Sequence, residues 1–151
     1  MNDLRDLYQE VILDHNRRPR NFGTLPRANR LAEGHNPLCG DRVTVYLDLA
    51  DGRIQDVAFE GSGCAISTAS ASLMTEALKG LTVEETRGIF HGFHELVTHG
   101  EKAGGPDLGK LEVFSGVREF PMRVKCATLP WHALMAALDG KDQPVSTEQE
   151  R

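Results

Sequence analysis

Three cysteines and one aspartate are the residues of this sequence whose types and positions could support chemistry. Cys39 and Asp41 lie two residues apart in the stretch NPLCGD, Cys64 follows EGSG, and Cys126 follows FPMRVK. A thiolate can attack an electrophile or bind zinc, whereas a buried thiol can also be an inert apolar residue. Three thiolates leave a tetrahedral zinc one ligand short, and Asp41 is the nearest carboxylate. The spacing matches no zinc-finger signature, so by itself it leaves metal ligand, nucleophile and buried residue as open alternatives.

The predicted positions of the cysteines favour a common site. All three are expected in connections between elements, and two of them, Cys64 and Cys126, at the N-termini of helices. Backbone N–H groups and the helix dipole favour a thiolate at such an end. Arg123 and Lys125 add positive charge near Cys126, which favours its thiolate as well. An odd number of cysteines argues against a disulfide framework and for a reducing compartment.

The six histidines offer a weaker case for a metal site. His91 and His94 are three residues apart and could share a helix face, but HGFHELVTH lacks the spacing of a metalloprotease box. A solvated helix face is the favoured interpretation. His35 could contact a metal ligand, and His15 and His132 are predicted to be ordinary surface or packing residues.

The elements that must position these residues follow from the hydrophobic periodicity. RVTVYLDL alternates as a half-buried strand does, ADGR predicts a hairpin turn, RIQDVAFEG predicts the returning strand, and NRLAE an edge strand. Helices are predicted over residues 3–15, over the small-residue stretch closed by Gly80, after a capping box at Thr82 and Glu85, and at PWHALMAALDG. Residues 100–119 form a glycine-punctuated segment with a short helix. The fold class is α+β, a small antiparallel sheet of about three strands with helices packed on one face.

Length and composition restrict the class of protein further. Of the 151 residues, 40% are hydrophobic and 26% charged, which predicts a single domain over residues 1–139 and a polar, disordered tail at 140–151. The net charge of −5 argues against nucleic-acid binding, which needs a basic face. No apolar run reaches the roughly 18 residues of a membrane span, and the charged, periodic N-terminus does not resemble a signal peptide. A cytoplasmic location is expected.

Three stretches, NPLCGD, FEGSGCAIS and FPMRVKCATLPWHAL, together resemble the U-type iron–sulfur cluster assembly proteins, the IscU/NifU-like family. The similarity runs from LYQEVILDHNRRPRNFG to about Leu138, and it is greatest to the SufU branch of the SUF system. Proteins of the IscU branch carry a histidine before the third cysteine, where this chain has Lys125. The stretch HGEKAGGPDLGKLEVFSGVREF resembles an insertion typical of the SufU branch. FPMRVK replaces the LPPVK stretch that IscU proteins present to their chaperone, which argues against chaperone-assisted delivery of that kind.

The resemblance implies a fold, a metal site and an activity. It implies the fold of the IscU/NifU N-terminal domain and a zinc site whose ligands are Cys39, Asp41, Cys64 and Cys126. It also implies a zinc-dependent sulfurtransferase that accepts persulfide sulfur from a SufS-type cysteine desulfurase, a pyridoxal-phosphate enzyme. The expected acceptor is Cys39, because its Pro-Leu-Cys-Gly loop moves most easily. Arg123 is expected to steady the ligand exchange or engage the partner, and downstream iron–sulfur assembly proteins are expected to receive the sulfur.

Two alternative functions use the same residues. The protein could be a scaffold that binds iron and assembles a [2Fe–2S] cluster on these ligands, and Lys125 in place of histidine is the feature against it. It could instead be a purely structural zinc module, which predicts no sulfur uptake. A cysteine hydrolase is the weakest alternative, because no histidine stands in a defensible arrangement with a cysteine.

Overall fold

The computed structural model describes residues 3–38, 40–101, 104–140 and 145–147, with side chains from residue 6 onward except that of Val145. None of the helices in these ranges is long and apolar enough to cross a membrane. The elements follow in the order α1 (Asp3–Arg17), β1 (Arg30–Asn36), β2 (Asp41–Ala50), β3 (Arg53–Ser62), α2 (Ala65–Leu78), α3 (Val83–His99), a 3₁₀ helix (Gly109–Glu119), α4 (Pro121–Leu138) and β4 (Val145–Ser146).

The sheet contains the three antiparallel strands that the sequence predicted. Its strand order is β3-β2-β1-β4, and β2 runs antiparallel to both β1 and β3. Val43, Val45 and Leu47 alternate onto the buried face of β2. Asp51 and Gly52 have φ angles of 56° and 72°, so both central residues of the β2–β3 turn have the positive φ of a type I′ hairpin. The α+β class is confirmed.

The helices cover one face of this sheet in two layers. α4 packs on β1 and β2, α2 packs beside it on β3, and α1, α3 and the 3₁₀ helix pack on those two helices. Trp131 of α4 is fully buried and stacks on Phe93 of α3 with ring centroids 4.7 Å apart. His15 of α1 is also buried, and its Nδ1 lies 2.7 Å from Ser72 Oγ of α2, so it is a packing residue. One core therefore joins the helices to the sheet.

The ends of α3 follow the sequence signals. The Thr82 hydroxyl accepts the N–H of Glu85, and the Glu85 carboxylate accepts the N–H of Thr82, which is the predicted capping box. Gly100 ends the helix in the left-handed conformation, with φ of 86°. The cap contributes on the order of 1 kcal/mol to helix stability.

The start of α4 differs from the sequence prediction. The helix begins at Pro121, so Cys126 lies in its second turn and not at its N-terminus or in a connection. Proline is well tolerated at the first helical position because no intrahelical partner is needed for its missing N–H. Pro130 lies inside the same helix, where its missing N–H removes the usual hydrogen bond to the carbonyl of Cys126. The rest of the helix tolerates this break because α4 is buried against the sheet.

The polar tail is partly described. Residues 145–147 lie in the stretch predicted to be disordered, yet Val145 and Ser146 pair in parallel with Gly34 and His35 of β1. Residues 141–144 and 148–151 of that tail are outside the described residues. A short edge strand therefore extends the sheet beyond the three predicted strands.

Candidate metal centre

Asp41, Cys64 and Cys126 converge at one end of the sheet. Asp41 is the first residue of β2, Cys64 is the N-cap of α2, and Cys126 projects from the second turn of α4. One ligand atom from each residue lies within 4.8 Å of the other two, and this is the candidate metal-binding group found among the described residues. Cys39, the fourth residue predicted at this site, is outside the described residues. We call the three residues the Asp41–Cys64–Cys126 cluster.

Asp41 is held rigidly although it is a fully buried carboxylate. Its Oδ1 accepts the backbone N–H of Cys64 at 2.8 Å, and its Oδ2 lies 3.6 Å from the Cys64 sulfur. Gly63 makes room for it, because a Cβ at that position would lie 2.6 Å from Asp41 Oδ1. The second glycine of the EGSG stretch, Gly63, is therefore required for steric reasons, since any side chain there would displace the carboxylate of Asp41.

Cys64 confirms the expectation that a cysteine caps α2. Its sulfur accepts the backbone N–H of Ser67 at 3.4 Å, as an N-cap side chain does. The hydrogen bond with Cys126 lowers the pKa of the Cys64 thiol to about 7, with the Ser67 N–H acting in the same direction and burial opposing both. A half-buried thiol with such a pKa carries appreciable thiolate at neutral pH.

Cys126 behaves in the opposite way to the sequence expectation. It is only 3% exposed, and the hydrogen bond to Cys64, followed by burial, raises the pKa of its thiol. The neighbouring basic residues were expected to favour its thiolate. Arg123 instead places its guanidinium carbon 4.3 Å from the Phe120 ring centroid, on the rim of a groove. In the metal-free site, Cys64 is therefore the thiol of this pair that ionises first.

The chemistry of the donor set fits a metal ion. Two sulfurs and one carboxylate oxygen within a few ångströms are ligands that zinc accepts, with the thiols bound as thiolates. Ligands from β2, α2 and α4 also make the site dependent on the assembled fold.

Asn36 is a site residue that the sequence analysis missed. It is fully buried at the end of β1, and its Nδ2 lies 3.9 Å from the Cys126 sulfur. It opens the NPLCGD stretch, but Asn-Pro by itself predicts only a turn. The contact with Cys126 depends on how α4 packs against β1, so no local pattern could have revealed it.

The histidines stay apart from the cluster. His35 lies on β1 next to Asn36, but the alternation of the strand places its side chain on the opposite face. His91 and His94 are exposed on α3, as the solvated-face interpretation predicted, and His91 Nε2 lies 3.6 Å from Glu95 Oε2. His132 is part-buried on α4, its ring edge-on to the Phe90 ring.

An apolar groove of about 650 Å³ opens beside the cluster. Ile12 and Leu13 of α1 line one side, and Ile66 lines another, two residues after Cys64. Phe120 and Arg123, at the start of α4, also line it. Arg123 thus lines the groove, where its guanidinium packs on the Phe120 ring.

Comparison with known proteins decides the family. The model of the NifU-like N-terminal domain matches residues 7–127 of this chain. The chain belongs to this family. The resemblance inferred from the three cysteine-containing stretches is thereby confirmed.

Relatives in the family carry two different functional names. The chain is 42% identical over 132 residues to the zinc-dependent sulfurtransferase SufU of Bacillus subtilis (strain 168), covering 87% of this chain and 89% of the relative. It is 39% identical over 138 residues to the iron–sulfur cluster assembly scaffold protein IscU of Streptococcus pyogenes serotype M1, covering 91% and 86%. Sequence similarity alone therefore does not choose between transfer and scaffold functions.

Solved structures of the family share the fold. The crystal structure of a protein from Fervidobacterium islandicum AW-1, described as an iron–sulfur cluster assembly scaffold protein for the SUF system (SufU), is 37% identical, with a TM-score of 0.79, and the match covers 89% of this chain and 98% of that one. An N-terminal NifU-like protein from Brucella abortus is 28% identical, with a TM-score of 0.81 over 91% and 95% of the two chains. The fold predicted from the resemblance is the family fold.

Proposed function

We propose that this protein is a zinc-dependent sulfurtransferase of iron–sulfur cluster assembly, which accepts persulfide sulfur from a SufS-type cysteine desulfurase. The observation that carries the proposal is the Asp41–Cys64–Cys126 cluster, a donor set suited to zinc, with a third cysteine two residues before the aspartate in sequence. Support comes from the 42% identical relative that is named a zinc-dependent sulfurtransferase. Downstream iron–sulfur assembly proteins would receive the sulfur.

The ligands we assign to zinc are Cys39, Asp41, Cys64 and Cys126. Bound zinc would keep the three thiols deprotonated and hold them together. Asp41 supplies the one hard oxygen ligand, whose orientation is set by the N–H of Cys64. Lys125 occupies the position where the IscU branch has histidine, and a protonated ammonium has no lone pair to offer a metal.

Cys39 is our choice of acceptor. Its thiolate would attack the outer sulfur of the partner's persulfide; the sulfur–sulfur bond of that persulfide breaks, a new one forms on Cys39, and the partner's cysteine leaves as a thiolate. No oxidant or reductant is consumed. The other two thiols are less suited to attack, because Cys126 is only 3% exposed and Cys64 is half-buried as a helix cap. Gly40, which follows Cys39, has a φ of 77°, a left-handed backbone conformation that glycine adopts readily.

The surface around the cluster suits a protein partner. Leu38, Phe120 and Met122 are large apolar residues exposed by 61%, 44% and 38%, and Leu13 adds 44% on the rim of the groove. A cluster of exposed apolar residues of this kind is typical of interaction sites. Arg123 at the groove offers a positive charge to an acidic residue of the desulfurase, which is the partner-engaging role we assign to it.

The test of the proposed function combines turnover and sulfur location. Mixing the zinc-loaded protein with a SufS-type desulfurase and cysteine is expected to increase alanine production several-fold. After a brief incubation, mass spectrometry of the non-reduced peptides should find about 32 Da added, the mass of one sulfur atom, on the peptide that contains Cys39. If no cysteine gains sulfur and turnover does not rise, the sulfurtransferase function is wrong.

The second candidate is a [2Fe–2S] scaffold. It is favoured by the IscU relative, named a cluster assembly scaffold, and by the same thiolate-rich donor set, which iron–sulfur clusters also use. Colour separates the two functions, since the protein purified without oxygen would be brown as a cluster scaffold and colourless as a zinc protein. A visible absorbance spectrum with elemental analysis of the same sample therefore decides between them.

Substitutions of Asp41 test the oxygen ligand. We expect Asp41→Asn to weaken zinc binding by roughly tenfold or more, the scale of changes close to a metal, while its amide oxygen still accepts the N–H of Cys64. Asp41→Ala should weaken zinc binding by a similar factor. It should also lower the free energy of unfolding of the metal-free protein by about 1–3 kcal/mol, because the N–H of Cys64 loses its acceptor. Chelator competition and melting of the metal-free protein measure the two effects separately. Wild-type zinc affinity in both variants would show that Asp41 is not a ligand.

A further inference from the structure

Asn36 is a buried polar residue whose position calls for an explanation. It ends β1, is 0% exposed, and faces the core side of the strand together with Ala32 and Gly34. In the β1–β2 register it is paired with Asp41, the first residue of β2. Burying a primary amide costs free energy unless its donors and acceptor find partners.

The acceptor groups of Asn36 hold the turn that follows β1. Its side-chain Oδ1 accepts the backbone N–H of Leu38 at 3.2 Å, and its main-chain carbonyl accepts the N–H of Gly40 at 2.8 Å. These are the residues immediately before and after Cys39 in the sequence. One residue therefore organises the backbone on both sides of that cysteine.

The donor group of Asn36 faces sulfur. Its Nδ2 lies 3.9 Å from Cys126 Sγ and 3.8 Å from Met122 Sδ, both on α4. The orientation of the amide follows from its partners, because the Leu38 N–H needs an acceptor and therefore requires the oxygen on that side. An N–H pointing at a sulfur that binds metal fixes the direction of that ligand and disperses its charge.

We propose that Asn36 is a positioning residue of the metal centre, which couples the NPLCGD turn to Cys126 and slows release of the bound metal. The inference rests on the metal site of the proposed function but not on sulfur transfer. A primary amide is the side chain that can do both tasks, since it accepts from the turn and donates to the sulfur. Asn36→Asp separates these tasks, because it keeps an acceptor for Leu38 and replaces the donor by an oxygen.

The experiment measures zinc release from the full-length protein into a chromophoric chelator, without any desulfurase. Asn29→Asp is the control, because both amide groups of Asn29 are also hydrogen-bonded, but to the backbone N–H and C=O of Leu49 at the far end of the same strand pair. We expect Asn36→Asp to release zinc at least about tenfold faster, with an altered thiolate-to-cobalt charge-transfer band after loading with Co²⁺, whereas Asn29→Asp stays within twofold of wild type. Equal release rates in Asn36→Asp and wild type, or an equal acceleration in both variants, would overturn the proposal.

A measurement on the wild-type protein keeps the proposal testable if Asn36→Asp does not fold. The side-chain amide signals of Asn36 should shift on zinc loading in a ¹⁵N–¹H spectrum, and their exchange with water should slow. The amide signals of Asn29 should not change. Unchanged Asn36 signals on metal loading would mean that its amide does not contact a metal-bound thiolate. Because neither readout involves sulfur transfer, failure here leaves the sulfur-transfer function untouched, and a lack of sulfur transfer leaves the role of Asn36 at the metal site untouched.

Discussion

Replacing Cys39 by serine is expected to abolish the stimulation of desulfurase turnover by this protein. A serine hydroxyl is a poor nucleophile toward sulfur at neutral pH and a poor zinc ligand, so both of the tasks assigned to Cys39 are lost. Alanine production by desulfurase plus the Cys39→Ser variant should fall to the rate of the desulfurase alone. The variant should remain folded, because the core that joins the sheet to the helices is built from many other buried residues.

Turnover alone does not separate an acceptor from a ligand, so the sulfur must also be located. Arg123→Ala serves as the comparison: it keeps all four proposed ligands, and it should reduce the affinity for the desulfurase, leaving sulfur on Cys39 at high partner concentration. Added sulfur mainly on the Cys126 peptide of the wild type would reject Cys39 as acceptor but keep the transfer function. Stimulation by Cys39→Ser equal to wild type would reject both tasks.

Removal of the metal is expected to produce the largest change in stability. Asp41, Cys64 and Cys126 belong to β2, α2 and α4, so a metal bound to them cross-links three elements that are distant in sequence. Structural zinc sites contribute on the order of 10 kcal/mol of apparent binding free energy. Since 1 kcal/mol shifts the Tm of a domain of this size by roughly 2–4 °C, complete chelation should lower the Tm by at least about 10 °C.

Reversibility is the control for this prediction. Adding zinc back to the chelated protein should restore the original melting curve, with a Tm that rises with free zinc concentration as ligand linkage requires. The Asn29→Asp variant, altered far from the site, should show the same drop on chelation. If the metal is shown by elemental analysis to be fully removed and the Tm is unchanged, binding is not coupled to folding.

Local sequence patterns determined most elements of the fold. The alternation in RVTVYLDL and RIQDVAFEG, with a turn between them, predicts the central hairpin because strand side chains have a period of two and one face must be buried. Thr82 and Glu85 predict the start of α3 because both partners of a capping box lie within four residues. Such features depend only on near neighbours in the chain.

Local sequence patterns did not predict where α4 begins. The sequence predicted a final helix at PWHALMAALDG, which starts at Pro130, yet the helix begins at Pro121 and runs through Pro130, because burial against β1 and β2 outweighs one missing hydrogen bond. The same packing moved Cys126 into the helix, where Cys64 and burial raise the pKa of its thiol, instead of placing it at an N-terminus that would favour the thiolate. The tertiary environment thus reversed the electrostatic prediction.

The sequence by itself determined the family and predicted the ligands of the candidate metal site, because cysteine and aspartate are ligand types and their motifs are those of the family. Only the tertiary structure decided that Asp41, Cys64 and Cys126 meet within 4.8 Å, since their approach requires β2, α2 and α4 to share one core. It alone placed Asn36 against Cys126 and Arg123 in the lining of the groove. The physical reason is that ligand chemistry belongs to single residues, whereas contacts between distant segments are created by the packing of the elements that carry them.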